Sequence, residues 1–230
     1  MDAAEFDRFA DEYREMLRNV TGVTGEAPEF FAEYKIRELA ESVRKREVQP
    51  ASILDFGSGT GSSIPYMRRF FPEAALSCAD PSQRSLDVAE ERFPGLSKPL
   101  LMESNCVPAP DDAFDVTFTA CVFHHIPHEE HAHWLGELRR VARAGGTLTV
   151  FEHNPLNPLT ARAVNRCPFD ENAHLIRAGE MARRFRAAGW RDPEVRYHLF
   201  FPHALAGLRG LEPMMAGIPL GAQYSVTAQK

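Results

Sequence analysis

Apolar residues recur at three- and four-residue steps through Phe6, Phe9, Ala10, Tyr13 and Leu17 in an otherwise charged stretch. That period predicts an amphipathic helix over residues 7–20. Two glycines and a proline make 21–28 a connection, and a second helix follows over 29–47 with Phe30, Tyr34, Leu39 and Val43 as its buried stripe. From residue 51 the texture changes to short apolar runs, each followed by a polar helical stretch. Strands are predicted at 52–56, 76–79, 98–103, 114–123 and 147–152, the fourth being richest in β-branched and aromatic residues. Helices are predicted between them at 62–71, 82–92 and 129–144. Asp80 or Ser82 caps the second of these, and Gly145-Gly146 stops the third. A helix over 180–188 and strands at 194–200 and 223–228 complete the chain.

Strands alternating with helices imply βαβ units and a mainly parallel sheet covered on both faces. The last two strands are joined by 202–221, an apolar insertion carrying Leu205, Leu208, Leu211, Met214, Met215 and Ile218, which either packs under the sheet edge or lines an acceptor pocket or dimer contact. The expectation is one α/β domain over 1–230. Residues 1–49 form an N-terminal helical cap, 50–152 a ligand-binding core, 153–178 a loop-rich lid, and 179–230 the closing helix and strands.

Composition narrows the function. With 26 basic against 32 acidic residues the formal net charge is −6, which argues against gripping a phosphate backbone. No run reaches the roughly 18 apolar residues of a membrane span. The acidic, helical N-terminus lacks the pattern of an export signal. Four scattered cysteines without a CxxC pair read as reduced thiols. A cytoplasmic protein that binds neither nucleic acid nor membrane, as a monomer or homodimer, is expected.

Ile53-Leu54-Asp55-Phe56-Gly57-Ser58-Gly59-Thr60-Gly61 carries the chemistry. An apolar strand runs into glycines that permit close ligand approach, and the following helix offers free N–H groups. Ser62 stands where GxGxxG wants its last glycine, and no GKS or GKT follows. Asp80 closes the second strand, 23 residues after Gly57, where a carboxylate reaches ribose hydroxyls.

The Asp55-x-Gly57-x-Gly59-x-Gly61 loop, Asp80, the Glu103-to-Asp115 stretch with its prolines and Phe114-Asp115 pair, and the Val122-Phe123-His124-His125-Ile126 ending of strand four resemble the class I S-adenosylmethionine-dependent methyltransferases, in their small-molecule, type 11/12-like branch. The resemblance is close over 50–152 and loose elsewhere. It implies a doubly wound, Rossmann-like, seven-stranded sheet with an antiparallel last strand. It also implies S-adenosylmethionine as cofactor and methyl transfer to an oxygen or nitrogen of a small molecule. Cofactor contacts implied are Tyr13, Asp55, Gly57, Ser58, Gly59, Gly61, Asp80, Pro81, Glu103, Ser104 and Cys121. Glu103 departs from the family's usual Asp.

His125 and His153 follow strands four and five and are the candidates for a general base. The bland reading of each is a wall or turn residue. The histidines at 124, 125, 128, 131 and 133 do not match HExxH and read as a solvated helix start, so no metal is expected. Lys35 and Arg14 read as surface charges, and Cys167 as packing. The alternatives are an NAD-dependent oxidoreductase and a non-catalytic S-adenosylmethionine-binding partner protein.

Overall fold

The computed structural model describes residues 25–103, 105–167 and 173–230. The helix expected over 7–20, with Tyr13 and Arg14, lies outside them, and so does Ser104. Helix α1 (Pro28–Lys45) begins on a proline, whose missing N–H is harmless in a first turn, and ends with Arg44 and Lys45 against the helix dipole. Its buried face is Tyr34, Ile36, Leu39 and Val43. Ile36 takes the place expected for Phe30, which is half-buried and turns to the cavity described below.

The sheet has seven strands in the order β3-β2-β1-β4-β5-β7-β6. Here β1 is Ser52–Phe56, β2 Ala75–Asp80, β3 Lys98–Leu101, β4 Phe114–Ala120, β5 Ala142–His153, β6 Arg191–His198 and β7 Gln223–Gln229. The first five pair in parallel, and β7 runs antiparallel between β5 and β6. The helices α2 (Ile64–Phe70), α3 (Gln83–Arg92), α4 (His131–Val141), α5 (Pro158–Val164), α6 (Ala178–Ala187) and the one-turn α7 (Glu212–Met215) connect them. Alternation along β1 divides the core. Ile53 joins Ile36, Leu39, Ile64, Met67 and Ala89 of α1, α2 and α3 on one face. Leu54 and Phe56 join Trp134, Leu138, Met181 and Phe185 of α4 and α6 on the other. The chain reverses direction across the sheet between β1 and β4, which opens a cleft at the carboxyl ends of those strands.

Three expectations are corrected. Gly145-Gly146 does not cap a helix: α4 ends at Val141 and both glycines lie inside β5. They mark a bulge, because the register shifts between Phe114 and Val116, and a Cβ on Gly146 would stand 2.9 Å from the Arg143 carbonyl and 3.0 Å from that of Asp115. Strand four stops at Ala120 rather than at residue 123, because Cys121 takes φ 59° and residues Phe123–His125 wind into a 3-10 turn. His131 is fully buried rather than solvated. Its Nε2 is 3.0 Å from the Ile126 carbonyl and its Nδ1 2.6 Å from Arg184. The insertion divides in two. Phe200 and Phe201 are half-buried and turn to the cavity described below, while Leu205, Leu208, Leu211 and Met214 are exposed. Among the described residues no helix is long and apolar enough to cross a membrane.

Candidate active site

Strand β1 delivers the chain to Gly57 at φ 71°, where a Cβ would come within 2.4 Å of Val122 Cγ2, so only glycine passes. The amide groups of Gly57, Ser58 and Gly59 donate to the end of β2. Gly57 N reaches the Ala79 carbonyl at 2.8 Å, and Gly59 N reaches Asp80 Oδ2 at 2.8 Å. The other carboxylate oxygen of Asp80 accepts from Ser82 N at 3.0 Å, while Ser82 Oγ caps α3 by accepting from Ser85 N. Asp80 therefore ties loop to strand, and Ser82 is the cap. A Cβ on Gly59 would meet nothing within 4 Å, so bare backbone faces open space, as a cradle for a bulky ligand requires. Gly61 does different work. A Cβ there would strike Ile64 and Ala89, so it lets α2 approach α3 and is not on the cavity wall. Asp55 is buried below the loop. Burial pushes its carboxyl up to about 7, helped by the Asp80 charge and opposed by a hydrogen bond from Ser63 and by Lys35.

A cavity of about 460 Å³ runs from this loop across the ends of β4 and β5. Gly57, Ser58, Gly59, Asp80 and Pro81 form one end. Phe30 and Lys35 of α1, Thr160 of α5, Phe200, Phe201 and Gln223 form the other. Arg209 from the insertion lies 4.5 Å over the Phe30 ring and is held by Glu26 at 2.5 Å. Cys121, His125 and His153 all line this space. Glu103 does not: β3 ends at Leu101, and the residue stands exposed outside the wall.

The turn after β4 is built around a residue that the strand pattern hid. Glu152 closes β5 fully buried. Its Oε1 accepts from Val122 N at 3.1 Å and Phe123 N at 2.7 Å, and its Oε2 stands 2.6 Å from His124 Nδ1. Burial pushes this carboxyl up, but His124, His153 and the Phe123 amide overcome it and hold it below the usual carboxylate range. His124 is the centre of an imidazole row, with the His125 ring centroid 4.2 Å away and that of His153 5.2 Å away. The pair of histidines read from the sequence thus has unequal members: His124 is buried against a carboxylate and His125 is half-buried. The one hint in the sequence was an acid ending the apolar run of β5.

Lys35 is likewise not a surface charge. It is half-buried on the cavity wall, with Nζ 3.2 Å from Cys121 Sγ. Gln223, on β7, directs Nε2 to the same sulfur at 3.7 Å. Neither residue carries a recognisable motif, and only the fold brings them together.

Residues 54–150 match a family model described as a methyltransferase domain, Methyltransf_11. A trans-aconitate 2-methyltransferase of Methylobacterium nodulans is 27% identical over 201 residues, spanning 83% of this chain and 76% of that protein. A ubiquinone/menaquinone biosynthesis C-methyltransferase of Burkholderia multivorans is 30% identical over 118 residues, 49% of this chain and 48% of that protein, so the match spans about half of that relative's length. A solved S-adenosylmethionine-dependent methyltransferase from Thermotoga maritima superposes over the whole of both chains with a TM-score of 0.69 at 19% identity, which shows the shared fold. These matches support an S-adenosylmethionine-dependent methyltransferase, with residues 54–150 similar to the methyltransferase domain family. The matched model is that of the type 11 branch, and S-adenosylmethionine is the cofactor. The matches leave the oxidoreductase and the non-catalytic alternatives without support.

Proposed function

We propose that this chain methylates an oxygen or nitrogen of a small, polar metabolite in the 460 Å³ cavity. The observation that carries the reading is the division of that cavity into two unlike ends. One is a bare-backbone glycine turn joined to Asp80, and the other is a polar floor of Lys35, Cys121, His153 and Gln223 beneath an aromatic wall of Phe30, Phe200 and Phe201. The first end suits a nucleoside-bearing cofactor and the second a metabolite. The trans-aconitate 2-methyltransferase among the relatives favours an acidic acceptor, which Lys35 would meet.

Gly57, Ser58 and Gly59 take the amino-acid end of the cofactor, Asp80 the sugar hydroxyls, and Pro81 the rim of the base. Asp55 supports the loop through Ser63. Tyr13 and Ser104, both outside the described residues, and Cys121, on the cavity wall, are further candidates, while Gly61 and Glu103 do not line the cavity. Bound S-adenosylmethionine supplies an electrophilic methyl carbon on a sulfonium, displaced in a single step. What remains for the protein is to align the acceptor and exclude water. An oxygen acceptor must also lose a proton. His153 and His125 flank His124 on the cavity wall and are the groups placed to receive it.

Calorimetric titration with S-adenosylhomocysteine, paired with a homocysteine-release screen over small acids, amines and phenols, tests this. The parent should bind and turn over at least one acceptor. Gly59→Arg, which fills the open cradle, and Asp80→Ala should weaken binding by roughly tenfold or more, about 1.4 kcal/mol per factor of ten. Equal binding by both variants would place the cofactor elsewhere and end the proposal.

A further inference from the structure

Cys121 lies on the polar floor of the cavity, and the methyl-transfer reading gives its sulfur no role of its own. It is not glycine, yet it sits at φ 59°, in the left-handed region, immediately after β4. Such strain in a side chain facing a cavity is characteristic of functional positions. Its neighbours are donors. Lys35 Nζ stands at 3.2 Å and Gln223 Nε2 at 3.7 Å, and His153 adds a hydrogen bond. A lysine ammonium and an amide NH₂ have only protons to give, so the sulfur serves them as an acceptor, the role a thiolate fills far better than a thiol.

The second observation concerns the other end of the Gln223 amide. The residue is 6% exposed, and its Oε1 has no hydrogen-bond partner. Because Nε2 is turned to the sulfur, the carbonyl oxygen is left as an acceptor on the wall of the same cavity. A buried amide oxygen without a donor is costly unless something with an N–H or O–H arrives.

We infer that Cys121 is a covalent modification site: a thiolate at the floor of the cavity that captures small, soft carbon electrophiles bearing an amide, whose N–H groups Gln223 Oε1 receives. With a haloacetamide the Cys121 sulfur lone pair attacks the methylene carbon. The C–S bond forms, the carbon–halogen bond breaks, and halide leaves with the electron pair. The thiol proton has already passed to solvent. The adduct then fills the floor on which a methyl acceptor would rest, so capture stops turnover. That last clause depends on the methyl-transfer reading, while capture itself does not.

The electrostatics agree with the geometry. Burial pushes the thiol up, but Lys35 and His153 outweigh it and bring it to about 6, with Glu152 opposing them. Tyr224 also faces this group and stays protonated, its hydroxyl raised well above the ordinary range by burial. Two of the other cysteines have different settings: burial pushes Cys78 up to about 12, and Cys106 is exposed with its sulfur on the Glu103 carbonyl.

The test is timed labelling of the native chain with iodoacetamide between pH 5 and 8.5, read by peptide mass spectrometry at all four cysteines. Cys121 should label first, on the order of ten times faster than Cys106 at pH 7, with its rate half-maximal near pH 6. Lys35→Met keeps the stem and should move that midpoint up toward ordinary thiols, while Gln223→Leu should slow iodoacetamide capture at an unchanged midpoint. Circular dichroism confirms that each variant is folded. Labelling that starts at Cys106, or a Cys121 midpoint near 8.5 that Lys35→Met leaves in place, would overturn the inference. Capture at Cys121 should stop methyl transfer. If Cys121 labels first and turnover is unchanged, the thiolate stands and the placement of the methyl acceptor on this floor falls.

Discussion

Tyr34 and Lys35 are neighbours on α1, and Gln223 and Ser225 lie two residues apart on β7, yet they end in two different kinds of polar cluster. Behind the sheet, Tyr34 Oη stands 3.4 Å from His198 Nδ1 and 3.5 Å from Glu212 Oε2, and His198 Nε2 is 2.8 Å from Ser225 Oγ. Glu212 Oε1 takes the amides of Phe200 and Phe201 at 3.0 and 3.1 Å. With Glu38 Oε2 3.9 Å from His198, residue types alone would suggest nucleophile, base and acid. The physics says otherwise. Burial, with Arg196 nearby, pushes His198 down to about 3, so it is a poor proton acceptor. Its polar atoms are spent on one another, tying α1 to β6, β7 and the insertion. At the strand ends the same elements leave capacity over: an amide oxygen without a donor and a sulfur ringed by donors, both on a cavity. Hydrogen-bonding capacity left open toward a space separates a site from a brace.

The sharpest way to break that contrast is at Glu152, which anchors the open cluster as Glu212 anchors the closed one. Glu152→Ala strands two backbone N–H groups and the His124 partner, and should cost about 3 kcal/mol in denaturant unfolding, along with activity. A loss under about 1 kcal/mol would mean the turn after β4 holds itself.

The next largest effect lies in the closed cluster. Burial holds His198 at about 3 in the folded chain, below the ordinary histidine value of 6.5. Between those values the unfolded chain binds the extra proton, so stability falls as pH falls through that window. From pH 6.5 to 5 the loss should approach about 2 kcal/mol, at about 1.4 kcal/mol per pH unit. Glu38, raised by burial, works in the opposite direction, so the measurement is the difference between the parent and His198→Asn, whose acid slope should be shallower. Parallel slopes would show that His198 is charged in the folded chain.

The smallest expected effect is on stability at Gln223. Gln223→Leu removes an unpaired buried acceptor and one long contact, so unfolding should change by less than about 0.5 kcal/mol, or rise. The KM for the methyl acceptor should rise all the same. A large stability loss would make Gln223 a brace like His198.

Much of this architecture was legible in the chain. The glycine turn, the apolar run before it, Asp80 at the next strand end and the order of helices and strands rest on local signals: backbone freedom, capping and period. Two boundaries misled. Val122 and Phe123 have the composition of a strand, but Glu152, 29 or 30 residues away along the chain, captures their amides and turns them aside. Gly145-Gly146 reads as a helix stop because helix stops and bulges need the same residue, and only the facing carbonyls of Phe114 and Asp115 reveal the bulge. Glu103, placed by resemblance in the cofactor site, stands outside the cavity wall because β3 ends two residues before it.

The sequence by itself determined the class of fold and marked the glycine turn and Asp80, because each depends on contacts between residues close in the chain or at a strand end whose place the alternation dictates; the cofactor followed from the resemblance those residues carry. Tertiary structure alone decided what lies across the cavity from them. Lys35 meets Cys121 across 86 positions and Gln223 meets it across 102. A lysine, a cysteine and a glutamine so far apart have no common period or motif. They acquire a shared chemistry only when α1, β4 and β7 are packed against the same sheet end and water is displaced from between them.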